Sequence, residues 1–257
     1  MKVCCLFLTC FPLPNAAVLG IYSNVARMCH EQDIDVYLYV NTEQTDYYTF
    51  GNTCYFSYRY LKAKYKYDAV YSDSRPYYGL MNLPLLDLYK SHPEYDNYIF
   101  YEDDLLYQGT ENLFSMFDYS KDITFQSDRH LGYGWHWYNN CNNYSPADKK
   151  TYLPYHGLLN IFVVSSRFMK GYSEFLENTG LRAFFEYSIN SYAYYMHSLG
   201  KLSTGVLSSE SLQANISWKN DITDTGDFCN LVHPVKDLHT LRRFSQYDNH
   251  RQKEQCS

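Results

Sequence analysis

Along its first half the chain alternates short apolar runs with longer helical periods, and few folds accommodate that pattern. KVCCLFLT (2–9) is an apolar run of strand length. Asn15 can cap a helix running to about His30, in which Val18, Ile21, Val25 and Met28 recur at helical spacing. DVYLYVN (35–41) reads as a second strand, YDAVYS (67–72) as another, and YDNYIFYE (95–102) as a further one. YYGLMNLPLLDLYKS (77–91) carries a helical period, with Pro84 expected to kink or shorten it. Strand–helix–strand repeats require crossovers, and crossovers build parallel sheets with helices on both faces. The expectation is an α/β fold.

After residue 110 the pattern loosens. ENLFSMF (111–117) reads as a short helix, DITFQS (122–127) as a strand, GLLNIFVVSS (157–166) as a buried strand, and 167–178 and 182–199 as helices. The stretch 128–155 is polar, aromatic and irregular. No repeat or low-complexity linker interrupts the 257 residues, so one domain spanning 1–257 is expected. The opening MKVCCLFLTC has the look of a short leader, but its apolar run is minimal and leads into a helix, as an opening strand would.

Charge and composition narrow the partners. A formal net charge of −6 argues against nucleic acid, which needs a clustered basic surface. Basic character is local, in RYLKAKYK (59–66) and LRRFSQYDNHRQKE (241–254). Either segment could be a solvated helix face, and the tail could touch an anionic membrane surface. Eight cysteines without a C-x-x-C pair suggest neither a zinc site nor a disulfide scaffold, so a reduced, cytoplasmic setting is expected. No apolar stretch is long enough for a membrane-spanning helix. The 30 tyrosines suit sugar- or protein-binding surfaces, although codon bias accounts equally well for most of them.

The chemically loaded stretch is NYIFYEDDLLYQG (97–109). If the strand continued, alternation would put Glu102 and Asp104 on one face and Asp103 on the other. Two carboxylates side by side at a strand end repel unless a cation lies between them, and Mg²⁺ or Mn²⁺ takes such oxygen ligands. An acidic turn exposed to water is the alternative. In open α/β sheets, ligands bind beyond the carboxyl ends of the strands. Thr9 and Phe11 after the first strand, Asn41 ending the second, and Asp73 and Arg75 after the third are positioned for that crevice.

This stretch resembles the Asp-x-Asp motif of nucleotide-diphospho-sugar glycosyltransferases with the A-type fold, in the frame Glu102-x-Asp104. It is also similar to uncharacterised bacterial and fungal glycosyltransferase-like proteins whose motif reads aromatic-x-Glu-x-Asp. Glu in first place departs from the family pattern and leaves that residue's role open between ribose contact and metal ligand. The resemblance implies a Rossmann-like, mixed but mainly parallel sheet flanked by helices, with a donor half (1–110) and an acceptor half with the tail (111–257). It further implies a divalent metal, Mn²⁺ or Mg²⁺, a nucleotide-sugar donor such as a UDP-sugar, and a glycan or glycolipid acceptor. HGLLNIFVVSSRFM (156–169) is similar to the strand that follows the acceptor region in such enzymes. NLVHPVKD (230–237) resembles their C-terminal His segment. It implies His233 as third metal ligand, Lys236 as a diphosphate contact, and Arg242 or Arg243 as helpers. RAFFEYSINSYAYYMHSLG (182–200) resembles the segment carrying the general base, which points to Glu186, with Asp128 as the next candidate. Trp135, His136, Trp137 and Tyr138 would face the acceptor, unless they pack as core. The implied activity is inverting transfer in polysaccharide or lipopolysaccharide synthesis, at the inner face of the membrane.

Two other classes compete. A metal-dependent nucleotidyltransferase or hydrolase could use the same acids, but TCFPLPN (9–15) has no glycine for a phosphate loop. A non-catalytic glycan-binding protein would also suit the aromatic content.

Overall fold

A computed structural model of the chain describes residues 1–9, 13, 15–43, 52–66, 80–126, 130–131, 154–180, 183–207, 214–216 and 231–233. Strands β1 (Val3–Leu8), β2 (Asp35–Asn41), β3 (Thr53–Phe56), β4 (Asn97–Glu102), β5 (Leu106–Tyr107), β6 (Ile123–Phe125), β7 (His130–Leu131) and β8 (Tyr155–His156) occupy its first two-thirds. β9 (Ile161–Ser165), β10 (Thr204–Val206), β11 (Ala214–Ile216) and β12 (Leu231–His233) follow. The helices are α1 (Ala16–Glu31), α2 (Tyr58–Lys64), α3 (Asn82–Ser91), α4 (Ser166–Thr179) and α5 (Phe185–Ser198), with a 3₁₀ turn at Leu113–Met116.

Seven strands form one sheet in the order β10-β6-β9-β4-β1-β2-β3. All neighbours pair parallel except β9, which runs against both β4 and β6. The fold is therefore the expected α/β arrangement, a mixed but mainly parallel sheet flanked by helices. Alternation along β1 divides the core in two. Cys4, Leu6 and Leu8 pack with Tyr98, Phe100 and the apolar faces of α3, α4 and α5. Val3, Cys5 and Phe7 pack on the other face with Ile99, Tyr101 and the Val18, Ile21, Val25, Met28 stripe of α1. Both faces are covered, which is why β1 and β4 are buried at every position and carry no polar alternation.

Local chemistry explains most element boundaries. Asn15 Oδ1 accepts from the N–H groups of Ala17 and Val18, so α1 starts where the cap was expected. Pro84 does not kink a helix over 77–91. The helix begins at Asn82, which places Pro84 in its first turn, where its missing N–H has no intrahelical partner to lose. The basic segment 59–66 is a helix face beside α3, with Lys64 paired to Asp87 at 2.6 Å. β3 and the start of α2 had no clear period in the sequence, and the segment 67–72 lies outside the described residues. Among the described residues, no helix is long and apolar enough to cross a membrane.

One buried carboxylate ties the far side of the sheet together. Asp122, just before β6, accepts from Arg167 Nε at 2.7 Å, from Ser165 Oγ at 3.1 Å, and from Ser203 N and Oγ at 2.7 and 2.8 Å. It thereby joins β6 to the β9–α4 junction and to the start of β10. Burial alone would raise its pKa, but the Arg167 guanidinium and the serine donors outweigh burial and hold it at about 2. A depressed folded-state pKa contributes stability above the unfolded value, near 4, that is lost as pH falls through about 2. Asp122→Asn is therefore expected to cost roughly 1–2 kcal/mol at neutral pH. In urea unfolding at a series of pH values, its deficit relative to wild type should shrink between about pH 4 and pH 2.

Candidate metal centre

β4 ends at Glu102, and the chain turns at once: Leu105 N–H donates to Glu102 O at 3.3 Å. The expected alternation through Asp104 therefore does not apply, because Asp103 and Asp104 belong to a turn and not to the strand. The turn still brings Glu102 and Asp104 together and leaves the fully buried Asp103 out of their group. It leads into β5, which pairs antiparallel with β12 through Leu106↔Val232 and Tyr107↔Leu231. One more step in that register places His233 beside Leu105. In this way a strand about 130 residues downstream delivers an imidazole to the acidic turn.

The three side chains meet out of contact with bulk water. His233 Nε2 lies 3.0 Å from Asp104 Oδ1 and 3.4 Å from Glu102 Oε2. One ligand atom from each residue falls within a mutual 4.8 Å. Glu102, Asp104 and His233 are 6%, 8% and 7% exposed. Burial pushes Glu102 up, with Asp104 adding to the rise and His233 opposing it. Burial alone would lower His233, but its contacts with Asp104 and Glu102 prevail and carry it up to about 10. Two carboxylates and an imidazolium leave one negative charge buried. Two carboxylates, a neutral imidazole and a divalent cation sum to zero. Two hard oxygen donors and one imidazole make a set that fits a divalent ion such as Mn²⁺.

Asn160, immediately before β9, completes the surroundings. It stands opposite Glu102, one step beyond the Tyr101↔Ile161 pair, and its carbonyl accepts from Glu102 N at 2.9 Å. Its Nδ2 donates to Glu102 Oε2 and lies 3.0 Å from His233 Nε2. Sequence patterns had marked neither Asn160 nor Gln126. Their signal was a lone amide at the end of an apolar run, in LLNIF and in ITFQ.

Glu186 lies in the first turn of α5 and is 2% exposed, flanked in sequence by the buried Phe184, Phe185 and Tyr187. Its Oε1 accepts from Leu159 N at 3.2 Å, and its Oε2 has no hydrogen-bond partner among the described residues. Burial first, then the charge on Glu102, pushes its pKa well above the carboxylate range. Of the residues expected to line the donor crevice, Thr9 and Asn41 lie at the carboxyl edges of β1 and β2. Thr9 follows Leu8, which pairs with Glu102. Its hydroxyl donates to Tyr39 O at 3.0 Å. Asn41 is 2% exposed. Its Oδ1 accepts from Glu43 N at 3.1 Å, and its Nδ2 has no partner among the described residues. Phe11, Asp73, Arg75, Asp128, Trp135, His136, Trp137, Tyr138, Lys236 and Arg242 lie outside the described residues.

No protein-family model matches the chain, and no curated protein matches it in sequence. Among solved structures it is similar to a glycosyltransferase involved in the glycosylation of the major capsid of PBCV-1. That match has 8% identity and a TM-score of 0.43, and covers 84% of this chain and 86% of the other. It is also similar to the galactosyltransferase LgtC in complex with donor and acceptor sugar analogs (13% identity, 91% and 87% covered, TM-score 0.45). A third is a Bacillus anthracis protein assigned as a glucose-1-phosphate thymidylyltransferase (12% identity, 80% and 87% covered, TM-score 0.42). These are likenesses of coarse fold outline, and the functional reading below rests on this chain's own residues.

The raised pKa of Glu186 has a measurable consequence in chelator. Stability from its neutral form is fully present below the unfolded carboxylate value, about 4.3, and is lost as pH rises toward the folded one. Glu186→Gln removes that loss. Urea unfolding in EDTA should show wild-type stability falling with pH by up to about 1.4 kcal/mol per unit from this group. The slope should be shallower in the variant.

Proposed function

We propose that the protein is a metal-dependent glycosyltransferase that moves a sugar from a nucleotide-diphosphate donor, a UDP-sugar above all, to a glycan or glycolipid acceptor. The observation that carries this reading is the buried convergence of Glu102, Asp104 and His233 at the carboxyl end of the central strand. These three would hold Mn²⁺ or Mg²⁺, which when bound offsets charge on a leaving diphosphate. Thr9, Phe11, Asn41, Asp73 and Arg75 would line the base and ribose side, and Lys236 and Arg242 the diphosphate. Residues 1–110 would form the donor half, and residues 111–257 the acceptor half and tail, with Trp135, His136, Trp137 and Tyr138 as sugar-facing aromatics and with His233, Lys236 and Arg242 reaching back to the diphosphate.

Glu186 is the proposed base. An acceptor hydroxyl attacking the anomeric carbon must lose its proton, and a desolvated carboxylate with an uncommitted oxygen is suited to take it. Asp128 is the second candidate. A single base acting on the acceptor implies inversion. Surface polysaccharide or lipopolysaccharide assembly in the cytoplasm is the setting proposed, with the basic tail at the membrane face.

The test is a thermal-shift screen of nucleotide-sugars with and without Mn²⁺, followed by two variants. Asp104→Asn should abolish Mn²⁺-dependent binding of UDP, and wild-type affinity in that variant would remove the metal assignment. Glu186→Gln should bind donor normally yet lose transfer by about 10²–10⁴-fold, so full turnover would remove it as base. Glycan binding that ignores chelator, with no stabilisation by any nucleotide, would instead identify a binding module.

A further inference from the structure

The metal group is held by an amide whose orientation the fold leaves no freedom to reverse. The two ends of an Asn or Gln amide have nearly the same shape, so packing alone does not select between them. Here a backbone group selects. Ile161 N–H can only donate, and it donates to Gln126 Oε1 at 2.8 Å. Gln126 Nε2 is then the end that faces Asn160, and it donates to Asn160 Oδ1 at 3.0 Å. With its oxygen engaged, Asn160 must turn Nδ2 to the site, where it donates to Glu102 Oε2 and lies 3.0 Å from His233 Nε2. Gln126 and Asn160 are 5% and 3% exposed, so water does not compete for these bonds.

We propose that Asn160, oriented by Gln126, is a positioning residue for the metal group, and that it fixes the Glu102 carboxylate beside His233. The Asn160 N–H donates to Oε2, the oxygen that also lies 3.4 Å from His233 Nε2, and leaves that oxygen a further lone pair for a cation. A hydrogen bond to the carboxylate also favours its charged form against the cost of burial. The open role of the glutamate in the acidic motif is thereby assigned: its carboxylate is held beside His233 as a ligand. This rests on the metal-dependent reading above.

The test measures Mn²⁺ affinity directly on the full chain without nucleotide, from the electron paramagnetic resonance signal of free Mn²⁺. Four proteins are compared: wild type, Asn160→Ala, Gln126→Leu and the double variant. Asn160→Ala should weaken Mn²⁺ binding by about 10–100-fold, as loss of an outer partner of a metal ligand does. Gln126→Leu touches none of the three ligands and should weaken it by a smaller factor, because the Asn160 amide can then turn either way. The double variant should bind no more weakly than Asn160→Ala, since Gln126 acts only through Asn160. Wild-type affinity in Asn160→Ala, or losses that multiply in the double variant, overturns the proposal. If Asn160→Ala does not fold by circular dichroism, Gln126→Leu decides alone, and wild-type affinity there overturns it. A wild-type chain that binds no Mn²⁺ overturns this proposal together with the metal-dependent function. A wild-type chain that binds it, with no change in the variants, overturns this proposal alone.

Discussion

Two carboxylates at the buried end of a central strand can be kept there only if positive charge is kept with them. Desolvating an ion costs several kcal/mol even after relaxation, and two like charges side by side add repulsion to that cost. In this chain His233 supplies the charge, and the small β11-β12-β5 sheet exists at the place where it can be supplied. The seven-stranded sheet ends β4 at Glu102, the turn after it brings Asp104 beside it, and β5 offers an edge on which β12 docks. Each step is ordinary strand pairing or a tight turn, and together they build a candidate cation site.

The same logic extends to the polar side chains on α5. Glu186, Asn190 and Ser191 are buried and bond to the backbone of 155–159, through Leu159 N, Gly157 O and Tyr155 respectively. Helix α5 therefore grips the segment that leads into Asn160. A proposed base and a metal-positioning amide share one piece of backbone, so disturbance of either is felt by the other.

The fold was legible in the sequence wherever burial was two-sided or a cap was present. β1 and β4 are unbroken apolar runs because both faces are covered, and Asn15 announced α1. Short edge elements such as β3 and β10 carry too few residues for a period to show, and Pro84 misled by being read as interior. At the site, Glu102 and Asp104 were found through an alternation that stops two residues earlier than assumed. The outcome survives because a tight turn and a strand both bring residues i and i+2 near one another here. Asn160 and Gln126 were missed because their importance is a matter of hydrogen-bond polarity between strands far apart in sequence. A single amide in an apolar run does not reveal that.

The β5–β12 pairing also orders events in time. All seven strands of the main sheet lie between residues 3 and 206, whereas His233 enters only with β12. Until β12 pairs, Glu102 and Asp104 at the end of the central strand lack the imidazole that compensates them. Pairing residues so distant in sequence is slow, since the loop must close before the contacts repay it. Among the described residues β12 is the last element in the chain, so the group of Glu102, Asp104 and His233 is complete only once that strand has paired.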